Sequence, residues 1–332
     1  MKPKVVITHW VHPKVIELLE ETCEIVPNDT RATLNPEQLR ARARDASAIM
    51  VFMPDLVDRA FLEACPDLKI VAGALKGYDN LDGVACEERG IWLTNVPDLL
   101  TIPTAELTHG LMIALGRNIL PSDRHLRSGS FRGWEPRFYG TGLDGSTVGI
   151  VGMGAVGRAL AKRLLGYDSE VIYYDRRMLD AATASRLRVR YFNLTDLLRT
   201  SDFIACILPL NSDTLHLVND AALAQMKPGA YLINTGRGST VDENAVARAL
   251  QQGQIAGYAA DVYEFEDWAR GDRPRNIPSA LKNETARTIL TTHIGSAVEA
   301  TRLEIAMEAA RNILQVMHGD PPQGAVNNPE RD

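Results

Sequence analysis

The run Val148-Gly149-Ile150-Val151-Gly152-Met153-Gly154-Ala155-Val156-Gly157 stands between an apolar stretch and a segment of helical periodicity, and Asp175 follows 18 residues after its last glycine. Thr147 to Val151 read as a buried strand and Val156 to Leu165 as a helix. In that setting a G-x-G-x-x-G string marks a dinucleotide site rather than an ordinary glycine turn. Gly152 makes the tight turn, Gly154 lets backbone approach a pyrophosphate, and Gly157 lets helix pack on strand. Phosphate then meets the first turn of the helix, at Ala155 and Val156, where unpaired N–H groups and the helix dipole favour an anion. Asp175 ends the next strand and is placed to accept from the adenosine ribose hydroxyls while repelling a 2′-phosphate, so NAD is expected. Arg176 and Arg177 follow directly and leave a weaker use of NADP open.

Length and composition bound what surrounds this site. A chain of 332 residues exceeds a usual single core, so two domains are expected. Hydrophobic residues at 45% and charged residues at 23% are ordinary globular values, and no apolar run reaches the roughly 18 residues a membrane span needs. The first residues carry positive charge but no apolar core of a signal peptide, which makes the cytoplasm the expected location. A net charge of −6 opposes a general nucleic-acid surface. Cys23, Cys65, Cys86 and Cys206 are far apart, without zinc or redox spacing, and read as buried reduced thiols; no metal site is expected.

Short β-branched runs alternate with amphipathic segments from the start: Lys4 to Thr8, a helix near Pro13 to Glu21, then Cys23 to Val26, Ala48 to Met53, Lys69 to Ala72 and Ile91 to Thr94. A helix follows with Thr101 as its N-cap and Pro103 in its first turn. Residues 121–145, rich in Gly, Pro and aromatics, read as an ordered loop. Beyond it, near-continuous apolar strands end at Val151, Tyr174, Leu208, Asn234, Ala260 and Thr292, which implies a parallel sheet covered on both faces. A last helix near Ala300 to Met317 is expected to return to the first domain, and the tail from Gly319 to Asp332 to be loosely held. The expected fold is therefore α/β, with two Rossmann-like or flavodoxin-like domains built on doubly wound parallel sheets. The cofactor domain, residues 101–293, is inserted into a discontinuous substrate domain of residues 1–100 and 294–332.

Three polar motifs stand at strand ends of the inserted half: Asn234-Thr-Gly-Arg237-Gly-Ser, Asp261-Val-Tyr-Glu-Phe-Glu266 and Thr292-His293-Ile-Gly-Ser296. Ligands of open α/β sheets bind outside the carboxyl ends of strands. His293 suits proton transfer near neutral pH. Glu266 can hold its other ring nitrogen, and the planar fork of Arg237 suits an oxyanion. Asp261 is placed to accept from the nicotinamide carboxamide. Each alone has a plainer reading: a turn-capping histidine, a surface ion pair, a solvated acid beside Glu264 and Asp267. Their joint occurrence favours a site.

These motifs, in this order around an internal glycine fingerprint, resemble the D-2-hydroxyacid dehydrogenase family over nearly the whole chain. The resemblance implies a catalytic set of Arg237, Glu266 and His293, cofactor contacts from Thr104, Pro209, Thr235, Asp261 and His293, and a homodimer joined through the cofactor domain. The substrate-domain loop departs from the family's usual Gly-x-Gly-x-Asp-Asn. It reads Gly73-Ala-Leu-Lys76-Gly77-Tyr-Asp79-Asn80, which places a lysine where backbone usually holds a carboxylate. Within the family the chain looks most like the phosphite (phosphonate) dehydrogenases, through Phe52-Met53-Pro54-Asp55, Ala74 to Gly77, Val96 to Thr101, Phe138 to Leu143, Gly257 to Val262 and Glu266 to Arg270. The histidine stands one position later than in that pattern, which fits one inserted residue between Ile277 and Ile289.

That closer likeness implies phosphite oxidation to phosphate, with water as nucleophile and NAD as hydride acceptor. Lys76, the Gly77 amide and Arg237 would bind the anion, while Met53, Leu100, Trp134, Tyr139, Trp268 and Ser296 would shape the pocket. The aromatics read equally as core or dimer-contact residues, and Lys76 as a solvated loop lysine. Two other functions stay open. One is a dehydrogenase of 2-hydroxy acids, or a glyoxylate/hydroxypyruvate reductase, using the same set on a C–H bond. The other is an NAD(H)-sensing protein like the C-terminal-binding corepressors.

Overall fold

The chain, described by a computed structural model over Lys2 to Pro329, divides into two compact units. The first comprises residues 1–100, 268–271 and 296–332, and the second residues 101–267 and 272–295. The return crossing thus falls after Gly295, and Trp268–Gly271 associates with the first unit.

The first unit carries β1 (Lys4–Ile7), β2 (Glu24–Val26), β3 (Ala48–Val51), β4 (Ile70–Gly73) and β5 (Trp92–Thr94), all parallel in the order β2-β1-β3-β4-β5. This is flavodoxin-like order. Side chains alternate between faces, so Val5, Ile7, Met50 and Ala72 pack with the helices Pro13–Glu20 and Glu299–His318. Val6, Ile49, Val51 and Val71 pack on the opposite face with Leu39, Phe61 and Ala85. Each such aliphatic side chain stabilises the unit by roughly 1.5–3 kcal/mol on burial, which explains why strands of three or four residues suffice.

The second unit carries β6 (Thr147–Val151), β7 (Glu170–Tyr174), β8 (Val189–Tyr191), β9 (Phe203–Cys206), β10 (Ala230–Asn234), β11 (Ile255–Ala260) and β12 (Thr288–Leu290). They form one parallel sheet, β12-β11-β10-β9-β6-β7-β8. Strand order reverses between β6 and β9, the crevice where a doubly wound sheet takes its ligand. Val148, Ile150, Tyr173 and Ile233 fill one face with the helix Thr101–Gly116, and Val151, Ile204, Leu232 and Tyr258 fill the other.

Several sequence expectations change. Residues 121–145 are not all loop, because Ile119–Arg127 is a helix. None of its side chains is fully buried, and Leu120 packs partly buried on the core; Arg124, His125 and Arg127 complement the dipole of its last turn, and Arg127 pairs with Asp123. Thr101 is the first helical residue rather than the cap. The tail is tied down as far as Asn327: Ala325 bridges Thr94, the Val326 amide donates to Leu93, and Asn327 meets both Leu93 and Ile91. Its last three residues, Glu330 to Asp332, lie outside the described region. All four cysteines are buried and free, and no described helix is long and apolar enough to cross a membrane.

Candidate active site

The glycine turn after β6 has the local geometry its residues demand. Gly152 has φ 103, and a Cβ there would lie 2.5 Å from the Ile207 carbonyl oxygen. At Gly157 a Cβ would lie 2.2 Å from the Gly152 oxygen, so the helix Ala155–Leu164 sits directly on the turn. Gly154 is different: nothing lies within 4 Å of its missing Cβ, and no side chain caps the helix there. Open space and uncapped N–H groups meet at one point, as a pyrophosphate requires.

Asp175, just beyond β7, accepts from the Met153 amide through Oδ2 at 2.8 Å and from the Arg177 amide through Oδ1 at 3.1 Å. Each oxygen keeps acceptor capacity for a ribose hydroxyl. Arg176 points to Asp213, with Nη1 to Oδ2 at 3.1 Å. Thr104 and Thr235 are linked through Thr108, whose hydroxyl donates to the Thr104 carbonyl at 2.7 Å and lies 2.8 Å from Thr235 Oγ1. Pro209 is exposed after β9, and its carbonyl accepts from Thr214. The residues present therefore fit a dinucleotide.

Arg237 follows β10, and its carbonyl accepts from Asn234 Nδ2 at 3.0 Å and from Thr240 Oγ1 at 2.7 Å. A short 3-10 turn, Gly238–Thr240, comes next. A second such turn, Glu264–Glu266, follows β11 and brings Glu266 to His293, with Oε2 3.2 Å from Nδ1. An Nδ1–H donated to the carboxylate leaves Nε2 to face a substrate. His293 has φ 54, a left-handed conformation that a non-glycine residue holds only when its surroundings impose it.

Asp261 supplies that constraint. Its Oδ1 accepts from Thr291 Oγ1 at 2.6 Å and the Ile294 amide at 2.8 Å, and its Oδ2 from the Gly295 amide at 2.7 Å. Most of the carboxylate is thus spent on the loop that presents His293. A carboxylate offers about four acceptor positions, so room for one further donor remains.

In the first unit, Lys76 and Gly77 lie half-buried on the turn after β4, with the Lys76 carbonyl held by Asn95 Nδ2 at 2.8 Å. Met53, Leu100, Trp268 and Ser296 belong to the same unit and are likewise partly buried. Sequence reasoning missed Arg302 there. Its Nη1 reaches Ser296 Oγ at 3.4 Å, its guanidinium lies 5.6 Å from the Phe52 ring centroid, and burial pushes its pKa down. A cation in the first turn of a helix opposes the dipole, and that was the available signal. Trp134 and Tyr139 are 83% and 77% exposed, so they are not core aromatics of this chain.

The family model for D-isomer specific 2-hydroxyacid dehydrogenase, NAD binding domain, matches residues 109–295. The chain belongs to this family. It is 39% identical to a glyoxylate reductase of Thermococcus litoralis, with 98% of this chain and 97% of that protein covered, and 36% identical to one of Pyrococcus horikoshii over 98% and 96%. The NADPH-dependent glyoxylate/hydroxypyruvate reductase of Sinorhizobium meliloti, solved with NADP and malonate, superimposes with a TM-score of 0.83 at 30% identity, and each chain is covered completely. As a 2-hydroxyacid dehydrogenase the chain is an NAD-dependent oxidoreductase.

The full-length relatives also correct the substrate expectation. Phosphite oxidation was expected from Lys76 and from short matching stretches, whereas the full-length likeness is to glyoxylate reductases. One added ammonium does not separate a phosphorus oxyanion from a carboxylate, because the same N–H donors satisfy both.

Proposed function

We propose that this 2-hydroxyacid dehydrogenase reduces a short 2-oxo acid of the glyoxylate or hydroxypyruvate type. The observation that carries the reading is end-to-end similarity to glyoxylate reductases in a chain that presents Arg237, Glu266 and His293 from one unit. Bound NADH supplies a hydride to the carbonyl carbon. Arg237 binds the substrate carboxylate through two parallel N–H donors and fixes which face of the carbonyl is presented. Nε2–H of His293 gives its proton to the carbonyl oxygen as negative charge develops there, and Glu266 stabilises the imidazolium before that transfer. Oxidation of the hydroxy acid runs the same path backwards, with His293 as base.

NAD is preferred over NADP in this reading, because Asp175 directly follows β7 and Arg176 is engaged by Asp213. The reading includes a homodimer in the cytoplasm. Phe131, Trp134 and Tyr139 are exposed large apolar side chains that a second copy would cover, and light scattering of Trp134→Ala combined with Tyr139→Ala tests it.

The deciding experiment follows NADH absorbance with glyoxylate and hydroxypyruvate, with pyruvate alongside. Turnover of either of the first two at least roughly tenfold more efficiently than pyruvate supports the reading. No oxidation of NADH with any of them sinks it.

A further inference from the structure

Glu243 opens the helix Glu243–Gln251, is 1% exposed and takes no part in the chemistry above. It exchanges backbone hydrogen bonds with Glu264, itself 4% exposed: Glu243 Oε1 accepts from the Glu264 amide at 2.9 Å, and Glu264 Oε1 accepts from the Glu243 amide at 3.2 Å. Glu264 Oε2 also meets His216 Nε2 at 2.6 Å. Glu264 begins the turn that ends in Glu266, and Gly238, next to Arg237, packs on that turn so closely that a Cβ would lie 1.8 Å from the Tyr263 carbonyl carbon. The Ser239 amide donates to Asp267 Oδ2 at 2.7 Å on the other side of Glu266.

We propose that Glu243 is a positioning residue for the dehydrogenase reaction: through its reciprocal bonds with Glu264 it holds the turn carrying Glu266 against the turn carrying Arg237. The inference rests on the 2-hydroxyacid dehydrogenase chemistry of the family and not on which 2-oxo acid is taken.

The surroundings also set the state in which Glu243 works. Its Oε2 is buried with no hydrogen-bond partner among the described residues, and an ionised oxygen so placed is costly. An acid in the first helical turn is ordinarily favoured in its charged form. Here burial dominates and pushes the carboxyl up to about 8, with the carboxylates of Glu264, Asp267 and Glu266 adding to the rise. The other titratable groups facing this cluster are His216, Tyr258, Tyr263 and, beyond Glu266, His293. Burial thus biases the Glu243 carboxyl toward its neutral form, and its ionisation adds negative charge behind Glu266.

The test compares wild type, Glu243→Ala and Glu243→Gln by reduction of whichever 2-oxo acid turns over, between pH 6.5 and 9.5, with a melting curve at each pH as the control for folding. We expect Glu243→Ala to lower kcat about tenfold or more with little change in the KM for NADH. Glutamine, an uncharged stand-in for the protonated acid, should rescue most of that loss at pH 7. It should also flatten the fall in kcat expected of wild type above pH 8. Wild-type kcat in Glu243→Ala, equal damage in the two variants at pH 7, or the same basic limb in wild type and Glu243→Gln would each overturn the proposal.

A second readout needs no turnover, so failure of the substrate reading is recognised separately. The imidazole proton signal of His293, followed by NMR, should shift near pH 8 as Glu243 ionises in wild type and not in Glu243→Gln. Identical titration curves overturn the proposal whatever the substrate is.

Discussion

His293 and Asp261 are coupled through backbone: the Asp261 carboxylate takes the amides of Ile294 and Gly295, the two residues after the histidine, and so holds His293 at φ 54. The imidazole is aimed by a bolt in the next strand turn as well as by Glu266. Replacing His293 by Ala should lower kcat roughly a hundredfold to ten-thousandfold, the range for loss of a proton-transfer group. Glu266→Gln should lower kcat by about tenfold or more while binding of NADH is kept. Steady-state kinetics on both variants check this, and near-normal turnover in His293→Ala removes it from the proton-transfer role.

Arg237 is predicted to separate geometry from charge. Arg237→Lys keeps the charge but loses the planar fork, so it should raise KM for the 2-oxo acid and lower kcat, and Arg237→Ala should do both more severely. Competition by oxalate, a planar dicarboxylate, should weaken in parallel. Unchanged oxalate inhibition in Arg237→Ala would place carboxylate binding elsewhere.

Asp175 is predicted to set cofactor choice. Asp175→Ala removes the acceptor of ribose hydroxyls and the repulsion of a 2′-phosphate, so the ratio of kcat/KM for NADH over NADPH should fall by about tenfold or more. Adding Asp213→Ala releases Arg176 and should shift the ratio further toward NADPH. A ratio indifferent to both changes contradicts the assignment.

Gly238 admits no side chain. A methyl group there would collide with the backbone of Tyr263 and Glu264, which cannot yield as a flexible side chain does. Gly238→Ala should therefore destabilise the fold by at least about 1–3 kcal/mol and cost activity beyond what its lowered melting temperature explains. Gly229, with no atom near its missing Cβ but φ 80, is the control: alanine there should cost stability alone.

Stability should also carry the signature of Glu243. Its folded-state value, about 8, lies above the ordinary 4.5, so between those pH values the unfolded chain binds fewer protons than the folded one. Stability contributed by the neutral acid is complete below about pH 4.5 and is lost as pH rises toward 8. The melting temperature of wild type should therefore fall from pH 5.5 to 8.5 relative to Glu243→Gln, and parallel melting curves would count against a neutral Glu243.

Much of this site is local, and local features are legible in sequence. The turn at Gly152, the helix start at Gly154 and the strand-end positions of Arg237, Glu266 and His293 each depend on a few adjacent residues. What escaped reading depends on distance. Glu264 and Asp267 carry no sequence sign of burial, yet they are buried where Glu243 and Ser239, more than twenty residues away, supply partners. The helix Ile119–Arg127 hides because it starts from a left-handed Asn118 without a side-chain cap, carries Pro121 in its first turn and is only nine residues long. The substrate was misread because Lys76 supplies charge without shape, and charge alone does not name an anion.

The pairing of Gly324 to Asn327 with the outermost strand of the five-stranded sheet has a practical corollary. An uncovered flank of that sheet would offer bare amides and carbonyls to any passing chain, the first step towards fibrous assembly. This clasp closes the flank, so a version trimmed back to Gly319 should clump at concentrations where the untrimmed chain stays clear.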